Sequence, residues 1–170
     1  MTLAPRKPFS AGLAPGRARL VPPVTVVAGS LVTVWPTISY GPLLPPAGLL
    51  MLLAWRLLAP GSLRIWAPAV LGFVDDLVSG QPLGSAVMLW TLAALATEAV
   101  GARAIFRSFR QDWIVAALAT AAVIVAGRLI AVPLGARVDL MLSAQIVAAV
   151  LLFPAAARLC GWIDHRRHPA

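Results

Sequence analysis

The sequence predicts an all-α integral membrane protein with about six transmembrane helices in a single bundle. Of its 170 residues, 60% are hydrophobic and only 12% are charged, and the mean hydropathy is +0.87. Such a chain is too apolar for a water-soluble globule of this size. Once the membrane segments are subtracted, no stretch remains that could bury a soluble core of its own. The protein must therefore act within the bilayer, at its surfaces or through partners.

Six apolar segments stand out, because a bilayer core about 30 Å thick requires about 20 mostly apolar residues per helix. They cover residues 21–38, 43–59, 65–79, 83–101, 113–134 and 139–159. The chain is accordingly predicted to have a basic cytoplasmic N-terminal arm (1–20), a six-helix transmembrane bundle (21–160) and a short cytoplasmic tail (161–170). The arm is expected to be disordered. Its basic residues could bind anionic lipid, although topology determination explains them equally well.

The net charge of +8 comes from basic residues at the ends of the apolar segments, which is not the pattern of a nucleic-acid-binding surface. If all six segments cross the membrane from a cytoplasmic N-terminus, twelve of the fourteen basic residues lie inside, and only Arg128 and Arg137 lie toward the outside. The third segment is short, since its 15 residues rise about 22 Å as a helix. If it did not cross, the cluster from Arg103 to Arg110 would lie outside. The positive-inside rule therefore favours six spans with both termini in the cytoplasm.

Two adjacent aspartates, Asp75 and Asp76, interrupt the third segment. On a helix their side chains diverge by about 100°, so they do not face one point. Asp76 shares a face with Gly72, Ser79 and Gly80. Because small residues let another helix approach closely, this face is expected to lie in the packed interior.

A charge in the packed interior needs a partner. Counting along the helices places Asp76 about 17 Å and Arg128 about 22 Å from the cytoplasmic ends, so these two residues are the first predicted intramembrane pair. Arg56 and Glu98 both lie in the inner part and form the second. Such groups could serve as a proton or ion relay or a polar substrate pocket, or as salt bridges that fix the order of the helices.

No catalytic set can be built from these residues, so the protein is predicted not to be an enzyme and to hold no cofactor or metal. An intramembrane aspartyl protease needs two aspartates from different helices, and a phosphatidyl-alcohol transferase needs several at metal-binding spacing. His165 and His168 lie in the tail, which excludes a Ser-His-Asp triad. The single cysteine, Cys160, can form no internal disulfide.

The stretch from Gly72 to Gly84, GFVDDLVSGQPLG, resembles the signature of the rod shape-determining protein MreD family. That signature is an apolar G-L-L-x-D-L-L-S-G, a short turn and L-G. The matching positions are Gly72, Asp76, Leu77, Ser79, Gly80, Leu83 and Gly84. Asp75 stands where the family usually has an apolar residue, so the resemblance gives it no role.

The resemblance implies a non-catalytic, multi-pass component of the bacterial inner membrane that belongs to the cell-elongation machinery. It would position partner transmembrane proteins for peptidoglycan synthesis. Besides the lipid bilayer, the implied partners are an MreC-like scaffold protein, an MreB-like filament, a RodA-like glycosyltransferase and a penicillin-binding transpeptidase. Small residues such as Ala117, Ala121 and Ala122 could receive a partner helix or pack internally.

The alternative is a small-molecule binding subunit of a membrane transporter. Its pocket would be lined in the outer half of the bundle by Trp35, Tyr40, Gln81 and the aspartates.

Overall fold

The computed structural model describes residues 16–34, 45–80, 82–103, 108–131 and 140–167. These residues form six helices and, within the ranges given, no strand, which confirms the all-α prediction. The helices are α1 (Gly16–Val34), α2 (Ala47–Leu58), α3 (Ala67–Ser79), α4 (Ser85–Arg103), α5 (Phe109–Ala131) and α6 (Leu140–Arg167).

Three of the described helices, rather than six, are long and apolar enough to cross a membrane by themselves. The three apolar stretches, one each in α4, α5 and α6, are Ser85–Ala102, Phe109–Ile130 and Leu142–His165. The 12 residues of α2 and the 13 of α3 rise only about 18 and 20 Å. Neither of these two helices matches the thickness of the hydrocarbon core.

Two predicted boundaries differ from the structure. α1 begins at Gly16, within the predicted arm, and α6 continues to Arg167, through most of the predicted tail. Hydropathy marks where a segment stops being apolar, but a helix continues through charged residues, because arginine is a good helix former. The rest of the arm (1–15), the last residues of the tail (168–170) and the connections at 35–44 and 132–139 lie outside the described residues.

Helix α2 forms the centre of the bundle and packs against α1, α4, α5 and α6. Its side chains are buried almost all around, and Leu49, Leu52, Leu53 and Trp55 are completely inaccessible. A short helix that is hydrophobic on every side must be covered by other helices. The other elements therefore surround α2, while α3 lies at the side of the bundle against α1 and α4.

Polar contacts between helices accompany this apolar packing. The indole Nε1 of Trp55 donates to Thr25 Oγ1 of α1 at 2.8 Å, and Trp113 Nε1 of α5 donates to the Val150 carbonyl of α6 at 2.9 Å. The Ala47 backbone N–H, at the start of α2, donates to Thr33 Oγ1 of α1 at 3.1 Å. The first turn of α2 thus obtains an acceptor from a neighbouring helix.

Candidate functional site

The carboxylate of Asp76 is buried, with 1% of the residue exposed, and it binds the beginning of α4. Its Oδ1 accepts hydrogen bonds from Ser85 Oγ at 3.0 Å and from the Ala86 backbone N–H at 2.9 Å. Its Oδ2 accepts from the backbone N–H of Gly84 at 2.8 Å and, at a longer 3.4 Å, from that of Val87. An ionised carboxylate accepts hydrogen bonds and donates none, and here four donors converge on it.

Helix α4 needs this acceptor because its own first residues cannot supply one. Gly84 takes the N-cap position, since its carbonyl accepts from the Met88 N–H at 3.0 Å, but glycine has no side chain to cap the helix. The Ser85 N–H is satisfied by the Pro82 carbonyl. The remaining free N–H groups of the first turn donate to Asp76. Asp76 therefore caps a helix that begins nine residues further along the chain.

Two glycines of the motif make this geometry possible. A Cβ on Gly72 would lie 2.7 Å from the Ala86 carbonyl oxygen, so the backbones of α3 and α4 touch one turn before Asp76. Gly80 ends α3 in the left-handed region, with φ of 67°, where glycine is favoured over other residues. The chain can then turn back at once and bring the start of α4 to the carboxylate.

Asp75 joins α3 to a different helix. Its carboxylate faces α1, where the Ser30 hydroxyl interacts with it, and Ser30 is buried. A Cβ on Gly48 of α2 would collide with that hydroxyl. The two aspartates thus diverge as predicted, Asp76 toward α4 and Asp75 toward α1.

The structure does not bring Asp76 and Arg128 together, and the predicted pairing of these residues is therefore replaced by the helix cap. Arg128 lies in the last turn of α5, and its side chain is exposed. Helix α3 packs against α1 and α4. Counting residues gives the depth of a side chain but not its direction, and backbone N–H groups of α4 satisfy this carboxylate in place of a cation. The glycine at the N-cap of α4, preceded by a carboxylate on the adjacent helix, is the signal that could have revealed this.

Arg56 and Glu98 are brought together, with Arg56 Nη1 3.4 Å from Glu98 Oε2. The contact is unequal, because 8% of the Arg56 side chain is exposed and 54% of the Glu98 side chain. The Nε and Nη2 atoms of Arg56 are buried without a hydrogen-bond partner. Unsatisfied buried donors are costly, so this pair costs the bundle desolvation energy that a single long contact does not fully offset.

The remaining motif residues have separate roles. Ser79 Oγ donates to the Asp75 carbonyl at 2.7 Å and so closes the last turn of α3. Leu77 and Leu83 are 59% and 70% exposed and contribute little to the core. These two leucines face outward.

The described residues contain no group of three or more His, Cys, Asp or Glu side chains that could hold a metal ion. One indentation between α2, α4 and α5 has an empty volume of about 200 Å³, part of it open to solvent. Its lining includes Leu57, Thr97 and Asp112. The enclosed cavity within it is only about 10 Å³, room for about one water molecule, whereas ligand pockets typically have about 300–1,000 Å³. Of the residues predicted to line a transporter pocket, Trp35, Tyr40 and Gln81 lie outside the part of the chain that the structure describes.

We expect Asp76→Asn to destabilise the protein by about 3 kcal/mol or more, because the amide NH₂ group replaces one oxygen and leaves the two donors of that oxygen without an acceptor. Asp75→Asn, which keeps an acceptor for Ser30, should cost much less. Thermal unfolding in detergent measures both variants.

Since Asp76 and Arg128 do not interact in the structure, the effects of Asp76→Asn and Arg128→Gln should add within about 0.5 kcal/mol. A double variant that is more stable than Asp76→Asn alone would instead indicate that Asp76 and Arg128 interact.

The two members of the Arg56–Glu98 contact should respond differently to substitution. Among the described residues, Glu98 supplies the recorded acceptor of the Arg56 guanidinium, so Glu98→Ala should destabilise by about 1–3 kcal/mol. Arg56→Met leaves a half-exposed carboxylate and removes two unsatisfied donors, so it should be neutral or stabilising. The same thermal unfolding assay compares them. Arg56→Met as the more damaging change would contradict the described geometry.

The sequence was compared with models of protein families, with curated proteins and with solved structures. The family model described as rod shape-determining protein MreD matches residues 21–163, from α1 to near the end of α6. Searches of curated proteins and of solved structures gave no significant match. Because the family match covers most of the chain and includes the whole segment built around Asp76, the protein belongs to the rod shape-determining protein MreD family.

Proposed function

We propose that this protein is a non-catalytic inner-membrane component that positions partner transmembrane proteins for peptidoglycan synthesis during cell elongation. Its family determines rod shape at the bacterial inner membrane and is associated with the MreB and MreC machinery. Direct contact with an MreC-like scaffold, a RodA-like glycosyltransferase or a penicillin-binding transpeptidase belongs to the proposal. So does a multi-pass arrangement with both termini in the cytoplasm.

The observation that supports this proposal is that the Asp76 carboxylate caps α4. An intramembrane carboxylate suggests a functional site by default, but all of its recorded hydrogen bonds go to the turn and first residues of α4. The group is occupied by a structural task and buried from any ligand. A family motif whose polar centre serves only to dock two helices is what a rigid positioning protein requires.

Helix α5 offers a surface for partners. Only 11% of its apolar span is buried inside the chain. On it, Ala117 and Ala121 are partly exposed and Ala122 is exposed. Small exposed side chains allow close approach of another transmembrane helix, which supports the role proposed for this surface.

The alternative function, a small-molecule binding subunit of a transporter, would use Asp76 as a ligand contact. The burial of Asp76 and its four donors argue against that use, and the indentation described above lies at the opposite end of α4, near Thr97.

Complementation of rod shape tests the proposal with Asp76→Asn and, as matched control, Asp75→Asn. Membrane abundance and recovery with the MreC-like partner are measured in the same cells. If the role is positioning, Asp76→Asn should disturb shape only in proportion to the loss of folded or partner-bound protein, and Asp75→Asn should support normal shape.

A different result would favour the transporter alternative. An Asp76→Asn protein that is abundant and fully bound to its partner, yet unable to support shape, would contradict a purely structural carboxylate. It would indicate that the group contacts a ligand or a proton.

A further inference from the structure

The loop between α2 and α3 presents an unusual combination of side chains. Arg64 is exposed, and its guanidinium carbon lies 5.9 Å from the centre of the Trp66 ring. Ile65 and Trp66 are 65% and 54% exposed. Two large apolar side chains and a cation thus project together from three consecutive residues, which we name the Arg64–Trp66 loop.

The fold holds this loop in place. Leu63, the preceding residue, is 5% exposed and belongs to the core, and the Ala67 N–H closes a turn onto the Arg64 carbonyl at 3.0 Å. The Trp66 carbonyl accepts from the N–H groups of Ala69 and Val70, which starts α3. The backbone is therefore fixed on both sides, so the three side chains are presented with little cost in conformational entropy.

The chemistry of the loop matches a phospholipid. No carboxylate among the described residues contacts Arg64, which leaves the planar fork of N–H donors able to bind a phosphate oxygen pair. Tryptophan concentrates at the boundary between acyl chains and headgroups, and an exposed isoleucine beside it favours hydrocarbon. An apolar pair beside a guanidinium that no described carboxylate contacts fits a headgroup phosphate with the first part of its acyl chains, whereas free phosphate would leave Ile65 and Trp66 in water.

Such a contact would also answer a need of α3. A helix of 13 residues rises about 20 Å, less than the hydrocarbon core of about 30 Å. Its length alone does not determine its depth in the membrane, so anchors at its ends must do so.

We propose that the Arg64–Trp66 loop is a binding site for an anionic phospholipid, which holds the beginning of α3 at the membrane surface. Arg64 binds the headgroup phosphate, and Ile65 and Trp66 contact the first part of the acyl chains. This inference depends only on the placement of the protein in a membrane, so it can fail while the proposed positioning function holds.

Native mass spectrometry of the full chain in detergent, titrated with phosphatidylglycerol or phosphatidylcholine, measures the binding. The parent protein should prefer phosphatidylglycerol, and Arg64→Gln should weaken its binding about fivefold. The matched control is Arg110→Gln, which removes an exposed arginine at the start of α5, on the same end of the bundle, and should have a much smaller effect. Trp66→Gln should weaken binding of both lipids. Thermal unfolding checks that each variant is folded.

Three results would overturn the proposal. The first is an equal loss of phosphatidylglycerol binding in Arg64→Gln and Arg110→Gln, which would mean non-specific attraction to a cationic surface. The second is displacement of the lipid by a large excess of inorganic phosphate, which would mean that the apolar contacts contribute nothing. The third is unchanged lipid binding in Arg64→Gln together with lost recovery of a protein partner, which would assign the loop to a protein interface.

Discussion

The carboxylate of Asp76 holds the first turn of α4 against the end of α3, and the arrangement of the whole side of the bundle depends on it. Helix α4 has a glycine at its N-cap and would otherwise begin with unsatisfied N–H groups in an apolar environment, where each costs about 1–3 kcal/mol. Gly72 permits the contact between the two helix backbones. Gly80, with its positive φ, permits the turn between α3 and α4. The motif is therefore one structural device, in which each glycine serves the carboxylate.

The same solution recurs at α2, whose first N–H donates to Thr33 of α1. In both cases a neighbouring helix supplies the acceptor that the helix itself lacks, so helix formation and helix packing depend on each other. Polar contacts across a bundle fix which helices are neighbours, which apolar packing alone does not do in lipid. A bundle fixed in this way has the rigidity expected of a protein that positions others. The Arg56–Glu98 contact differs from these two, because it leaves buried donors of Arg56 unsatisfied.

The sequence was sufficient for the all-helical class, for the approximate position of each helix and for the family, because hydropathy and the thirteen-residue motif are local properties. It also predicted that Arg56 and Glu98 lie close together, since both lie at the same depth on neighbouring helices. It was insufficient for the partner of Asp76, because depth does not determine which helix a side chain faces, and the trace of the cap in the residue types is limited to the glycine at the start of α4 and the carboxylate before it. Six spanning helices were predicted and three of the described helices are long and apolar enough to span, for a related reason. α2 and α3 are short helices within longer apolar segments, and the ends of a helix depend on turns and caps as well as on hydropathy.

Amide hydrogen exchange tests most directly whether the Asp76 carboxylate holds the first turn of α4. In the folded parent protein the Ala86 N–H should exchange slowly, because it donates to buried Asp76 Oδ1 and opens only when α4 separates from α3. Asp76→Asn should accelerate exchange at Ala86 selectively, while the amide of Ala116 in the buried part of α5 keeps its protection and Arg128→Gln changes neither. Unchanged protection of Ala86 in a folded Asp76→Asn protein would contradict the account, because the first turn of α4 would then be held by something other than this carboxylate.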